Sequence, residues 1–157
     1  VYGKGPLQTR VERGPGLRYQ GFLDSAGLRE RMHKAAYLVM PSTGMESFGL
    51  VAIEAFACGV PVIASHQGGL GELVTHQKNG LLVAPGDPAT LASAIAYAET
   101  HPHDLTRMGM DAYQTWRDRY TPERNYELLM RIYDEALSSL PSPAAELAPH
   151  AQNCTRR

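Results

Sequence analysis

The sequence lacks an excess of charge of either sign: 15 lysines and arginines stand against 16 aspartates and glutamates, a net of −1. That balance gives no reason to expect nucleic acid or an anionic membrane surface as a partner. Cysteine is scarce. The two present, Cys58 and Cys154, lie far apart in no metal-ligand spacing. Cys58 sits in an apolar run and is expected to be a buried small hydrophobe. This usage fits a reducing, cytoplasmic compartment. No run of about 18 apolar residues occurs, so no membrane-spanning helix is expected. The first residues carry no apolar stretch of the kind a signal peptide needs. There is no initiator methionine and no internal repeat. Val1-Tyr2-Gly3 reads as the end of a strand entering a glycine turn, so the chain is expected to be truncated at its N-terminus.

What is present is an ordinary soluble composition, 43% hydrophobic and 20% charged over 157 residues. That is enough for one compact domain with a real core but not for two. Short apolar runs bounded by proline and glycine alternate with helical stripes. Leu17 to Gln20, Tyr37 to Met40, Pro61 to Ser65 and Leu81 to Val83 read as strands. Helices are expected from Leu7, from Asp24 or Ser25, from about Phe48 to Cys58, and from Leu70. Asp87-Pro88 marks another start, with a capping carboxylate before a proline. Leu105, Met108, Ala112 and Trp116 form one later stripe, and Tyr126, Leu129, Tyr133 and Ala136 form another. The alternation predicts an α/β fold: a Rossmann-like parallel sheet with helices on both faces. The domain is expected over residues 1–138. A polar, proline- and alanine-rich tail, expected to be disordered, fills 139–157.

The informative stretch is Pro41 to Ala55, PSTGMESFGLVAIEA. A strand end feeds a loop, and the loop feeds a helix N-terminus. Backbone N–H groups of Phe48, Gly49 and Leu50 are then left without intrahelical partners, and the helix dipole adds positive character. Phosphate suits such a place. Gly49 has no side chain to keep a ligand from its backbone. Glu46 and Glu54, with seven residues between them, supply carboxylates that accept from vicinal hydroxyls. An anion carrying a polyol at each end, such as a nucleotide diphosphate sugar, would satisfy both features. On spacing alone a plainer alternative stays open, in which Ser47 caps a helix and the two glutamates are solvated surface charges.

The segment from Glu46 to Ala55 closely resembles the signature of family-4 retaining glycosyltransferases, the group 1 glycosyl transferases of GT-B fold. Cys58 to Ser65, Gly68-Gly69-Leu70-Gly71-Glu72-Leu73-Val74, Asn79 to Val83 and Pro85 to Pro88 resemble the elements that follow it. Tyr2 to Leu7 and Gly21-Phe22-Leu23 fit the elements upstream. The resemblance covers residues 1 to about 137 and implies the C-terminal, donor-binding half of the enzyme. By position it places Glu46, the catalytic-site residue of the set, against the transferred sugar. It places Glu54 on the ribose hydroxyls, Phe48, Gly49 and Leu50 on the sugar and diphosphate through their amides, and Leu23 at the base. The implied reaction is transfer of a hexose-like sugar with retention at the anomeric carbon.

No metal and no cofactor are implied, the nucleotide sugar being a substrate. The implied partners are that donor and an N-terminal acceptor domain missing from this chain, with no nucleic acid. Cytoplasmic placement is expected, with peripheral membrane association of the intact enzyme left open. Family members carry an arginine and a lysine upstream that clamp the diphosphate, and Lys4 is no positional match for them. The fragment alone is therefore expected to bind donor weakly and to transfer inefficiently. The rival readings are a GT-B nucleotide-sugar epimerase or synthase and a non-catalytic nucleotide-sugar-binding module.

Overall fold

The structure is a computed structural model, and it describes residues 1–139. Residues 140–157, where most of the expected tail falls, lie outside the described residues. Three parallel strands form the sheet in the order β1 (Leu38–Met40), β2 (Val62–Ser65), β3 (Gly80–Val83). Leu38 pairs with Val62, and Ile63 with Leu81, so the three strands end at one common edge. Around them run α1 (Gln8–Arg13), α2 (Ser25–Met32), α3 (Leu50–Ala57), α4 (Gly68–Leu73), α5 (Pro88–Thr100) and α6 (Pro102–Arg119).

Alternation along β2 divides the core. Val62 and Ala64 face a cluster built with Ala52, Ala55 and Phe56 of α3 and with Leu70 and Leu73 of α4. Ile63 faces the opposite side, with Leu81 and Val83 of β3, Ala98 of α5, and Leu105 and Met108 of α6. Every strand residue of β2 is buried, as a parallel strand covered on both faces requires. The Rossmann-like expectation holds.

The helix signals hold as well. Asp87 accepts from the amides of Ala89 (2.8 Å) and Thr90 (3.3 Å) at the start of α5, and Asp24 accepts from Gly27 (2.8 Å) at the start of α2. Other details differ: α3 begins at Leu50 rather than about Phe48, and α4 spans Gly68–Leu73 rather than starting at Leu70. Leu17 to Gln20 is not a strand. It lies beside residues 1–3 through isolated bonds, Gln20 N–H to the Val1 carbonyl and Gly3 N–H to the Gly21 carbonyl, both 2.9 Å. β1, an edge strand of the sheet among the described residues, is half-buried rather than buried. Cys58, at the end of α3, is likewise half-buried.

The described residues fall into two compact units, Val1–Tyr120 and a second that begins at Thr121. Within the second, α7 (Pro122–Ser139) opens where the Thr121 hydroxyl accepts from the Arg124 amide at 3.2 Å. Its stripe residues Tyr126, Leu129 and Tyr133 are exposed. No helix among the described residues is long and apolar enough to cross a membrane.

A close helix approach in the first unit occurs at Gly109. A Cβ there would stand 2.4 Å from the carbonyl oxygen of Gly59, in the turn between α3 and β2. Glycine to alanine in an open helix stabilises by about 1 kcal/mol. Here Gly109→Ala should instead destabilise by about 1–3 kcal/mol, read as a lower urea midpoint in chemical denaturation.

Candidate functional site

The loops that follow the three strands share one edge of the sheet, the edge where open α/β sheets bind ligands. The loop after β1 is the longest, running through residues 41–49 to α3. Its last residue, Gly49, is the N-cap of α3 and adopts a left-handed conformation (φ 81°, ψ 49°). Two constraints favour glycine there. The backbone angle is one that side chains strain to adopt, and a Cβ would stand 2.8 Å from Leu70 Cδ2 of α4. The second constraint is not legible in the sequence, because it depends on α4 packing across the helix start.

Ser47 does not cap α3: the helix has no side-chain cap hydrogen bond. The first helical bonds are instead accepted by the Gly49 carbonyl, from Ala52 at 2.9 Å and Ile53 at 3.3 Å. The amides of Phe48, Gly49 and Leu50 donate to no acceptor among the described residues. A helix start with neither a capping side chain nor a carbonyl over it keeps its partial positive charge available.

Glu54 lies one turn after Leu50, on the exposed face of α3 that Leu50 and Val51 share, opposite the buried Ala52, Ala55 and Phe56. Glu46 lies in the loop, half-buried. Neither carboxylate makes an ion pair or side-chain hydrogen bond within the described residues. The ion pairs found there are Lys34–Glu30, Arg107–Asp104 and Arg124–Glu127. Next along α3, burial pushes the Cys58 thiol up, Arg29 opposes the shift and Glu54 adds to it. A thiol so shifted stays protonated and has little nucleophilic character. Leu23 lines a groove of about 510 Å³ along β1, together with Phe22 and with Val51 from the first turn of α3.

The loop is seated on α4. Gly69 N–H donates to the Glu46 carbonyl at 2.7 Å. A Cβ on Gly68 (φ +51°) would stand 2.4 Å from that same oxygen, and one on Gly69 would stand 2.8 Å from Phe48 Cα. The Phe48 ring meets Tyr120 edge-on, with ring centroids 6.4 Å apart. In the sequence, Gly68-Gly69 reads as a turn. Their role as the platform under residues 46–48 depends on packing between distant segments, although two adjacent glycines at a helix start are a signal for close backbone approach. His66, just before this platform, is exposed, with its ring against Gly71. Among the described residues no three His, Cys, Asp or Glu side chains are grouped so as to hold a metal ion.

Gly68→Ala should displace the Glu46 carbonyl and destabilise the fold by about 1–3 kcal/mol. Its amide NMR shifts should change most at residues 45–49. Gly44, where a Cβ would meet nothing within 4 Å, is the control. Gly44→Ala should stay within about 0.5 kcal/mol of the parent.

Known proteins resemble this chain in sequence and in fold. The family described as "Glycosyl transferases group 1" matches residues 1–100. D-inositol 3-phosphate glycosyltransferase of Jonesia denitrificans is 44% identical over 110 residues, which is 67% of this chain and 26% of that protein. Sucrose-phosphate synthase of Thermosynechococcus elongatus superposes with a TM-score of 0.75 at 33% identity, over 85% of this chain and 33% of that one. HepE of Anabaena, solved in complex with UDP-glucose, superposes with a TM-score of 0.69 at 30% identity, over 84% of this chain and 35% of that one. The chain thus spans about a quarter to a third of the length of these relatives. With the signature from Glu46 to Ala55 set on the strand–loop–helix corner of a parallel Rossmann-like sheet, this chain belongs to the group 1 glycosyltransferases and corresponds to part of their GT-B fold.

Proposed function

We propose that this chain is the donor-binding half of a retaining glycosyltransferase that moves a hexose-like sugar from a nucleotide diphosphate sugar to an acceptor. The observation that carries the proposal is the uncapped start of α3. Its amides at Phe48, Gly49 and Leu50 have no protein acceptor among the described residues, and they lie beyond the carboxyl ends of the parallel strands. A diphosphate is the anion that such a group of donors suits. In the transfer, the bond between the anomeric carbon and the diphosphate oxygen breaks, and negative charge builds on the leaving diphosphate. Fixed amide dipoles stabilise that charge without reorganising.

The carboxylates bind rather than attack. Glu54, unpaired among the described residues and one turn into α3, accepts from the ribose hydroxyls. Glu46, in the loop, accepts from hydroxyls of the transferred sugar and holds its anomeric carbon in place. Leu23, in the groove that Val51 also lines, borders the base. Residues 1–138 make up the donor-binding domain. The acceptor domain and a cationic clamp on the diphosphate belong to the intact enzyme, which we place in the cytoplasm. Neither a metal nor another cofactor has a role in this scheme.

UDP-glucose is the first donor to test, because the HepE neighbour was solved with it. Chemical-shift titration of the 157-residue chain should show weak binding centred on residues 46–54. Glu54→Ala should weaken it by about 1–3 kcal/mol, the scale of a hydrogen bond to a charged group. Unchanged affinity in Glu54→Ala would remove the ribose role. The chain alone should transfer sugar far more slowly than a full-length relative in a radiolabel assay. Comparable turnover would show that the acceptor domain and clamp are dispensable.

A further inference from the structure

We infer that Gln67 is a positioning residue for the donor site, acting through the loop that carries Glu46. Gln67 is the N-cap of α4, yet its side chain makes no cap hydrogen bond to that helix. It reaches the other way. Its Nε2 donates to the carbonyl of Ser42 at 3.1 Å and to the carbonyl of Gly44 at 2.5 Å. One primary amide has two N–H donors, and both are used on one loop.

Those two bonds stand alone. Among the described residues, no other hydrogen bond reaches residues 41–45. Met45 is 86% exposed, and a Cβ on Gly44 would find open space, so packing does little to hold this stretch. The following residues are held by different means, the Gly69–Glu46 backbone bond and the contact of Phe48 with Tyr120. The loop after β1 is thus pinned at two places, with Gln67 responsible for the first. Glu46 lies just beyond the Gln67 clamp, so the direction of its side chain depends on both. A loop freed at one end samples more conformations, and a ligand that needs one of them binds in proportion to its population.

The inference rests on the donor-site reading above, and its test separates the two. Gln67→Met keeps the length of the side chain and removes both donors. Hydrogen exchange should speed up at residues 42–46, with the thermal midpoint close to that of the parent chain. In titration, the apparent Kd for UDP-glucose should rise roughly 3- to 10-fold. Glu46→Gln should also weaken binding. The double variant should be weaker than Gln67→Met by less than the Glu46→Gln factor, because the two changes disturb one contact. A purely structural Gln67 would lower the midpoint and give independent, multiplicative factors, and that result overturns the inference. Unchanged exchange at 42–46 overturns it as well, whatever the donor affinity. If the parent chain binds no nucleotide sugar while Gln67→Met loosens the loop, the donor reading fails, and Gln67 is then a tether without a positioning role.

Discussion

The backbone of residues 46–48 lies directly on the first turn of α4, and the mouth of the sheet takes its shape from that contact. Gly68 and Gly69 leave the room, and any side chain at either position would meet loop backbone inside 3 Å. With the loop seated, Gly49 is brought against Leu70 and Leu73 and must turn left-handed to start α3. The left-handed turn in turn leaves the helix without a capping side chain. Each step follows from the one before. An uncapped helix start at the ligand edge is therefore a consequence of how the α3 and α4 corners interlock, rather than of any one residue's propensity.

The charges around this corner make sense together. Carboxylates set near a group of amide donors oppose the binding of a simple anion. Here both glutamates are left without cationic partners among the described residues, and the amides are left without acceptors. Phe48, Leu50 and Glu54 are exposed and Glu46 is half-buried, so solvent reaches them while the site is open, whereas Gly49 itself is buried. A ligand with a central anion and hydroxyl-rich ends would exchange those water contacts for fixed ones. In such a site the gain comes from pre-organisation, which places weight on whatever holds the loop still. Three unlike contacts hold it: a side-chain amide at Gln67, a backbone bond at Gly69, and an aromatic edge contact from Phe48 to Tyr120.

Most of the architecture could be read in advance because its causes are local. Proline and aspartate at 87–88 predict a helix start, since the capping bond spans only two or three residues. The apolar run at 62–65 predicts a strand covered on both faces, and all four of its residues are buried. Readings failed where the cause lay elsewhere in the chain. Leu17 to Gln20 has the composition of a strand, but it meets residues 1–3 through isolated bonds and joins no ladder. The helix expected from about Phe48 starts at Leu50, with Gly49 as its N-cap packed against α4, and Ser47, the capping residue of the plainer alternative, does not cap it.

The sequence by itself determined the class of fold, the order of its elements and the family, because periodicity, capping pairs and an ordered set of short motifs are properties of neighbours along the chain. It also singled out Glu46, Glu54 and the amides at 48–50 as one group. Tertiary structure alone decided what supports that group: the glycine platform of α4, the reach of Gln67 to the Ser42 and Gly44 carbonyls, and the Tyr120 ring against Phe48. Those contacts join residues far apart along the chain. No local pattern encodes such a pairing, because it exists only once the parallel strands have brought their ends to a common edge.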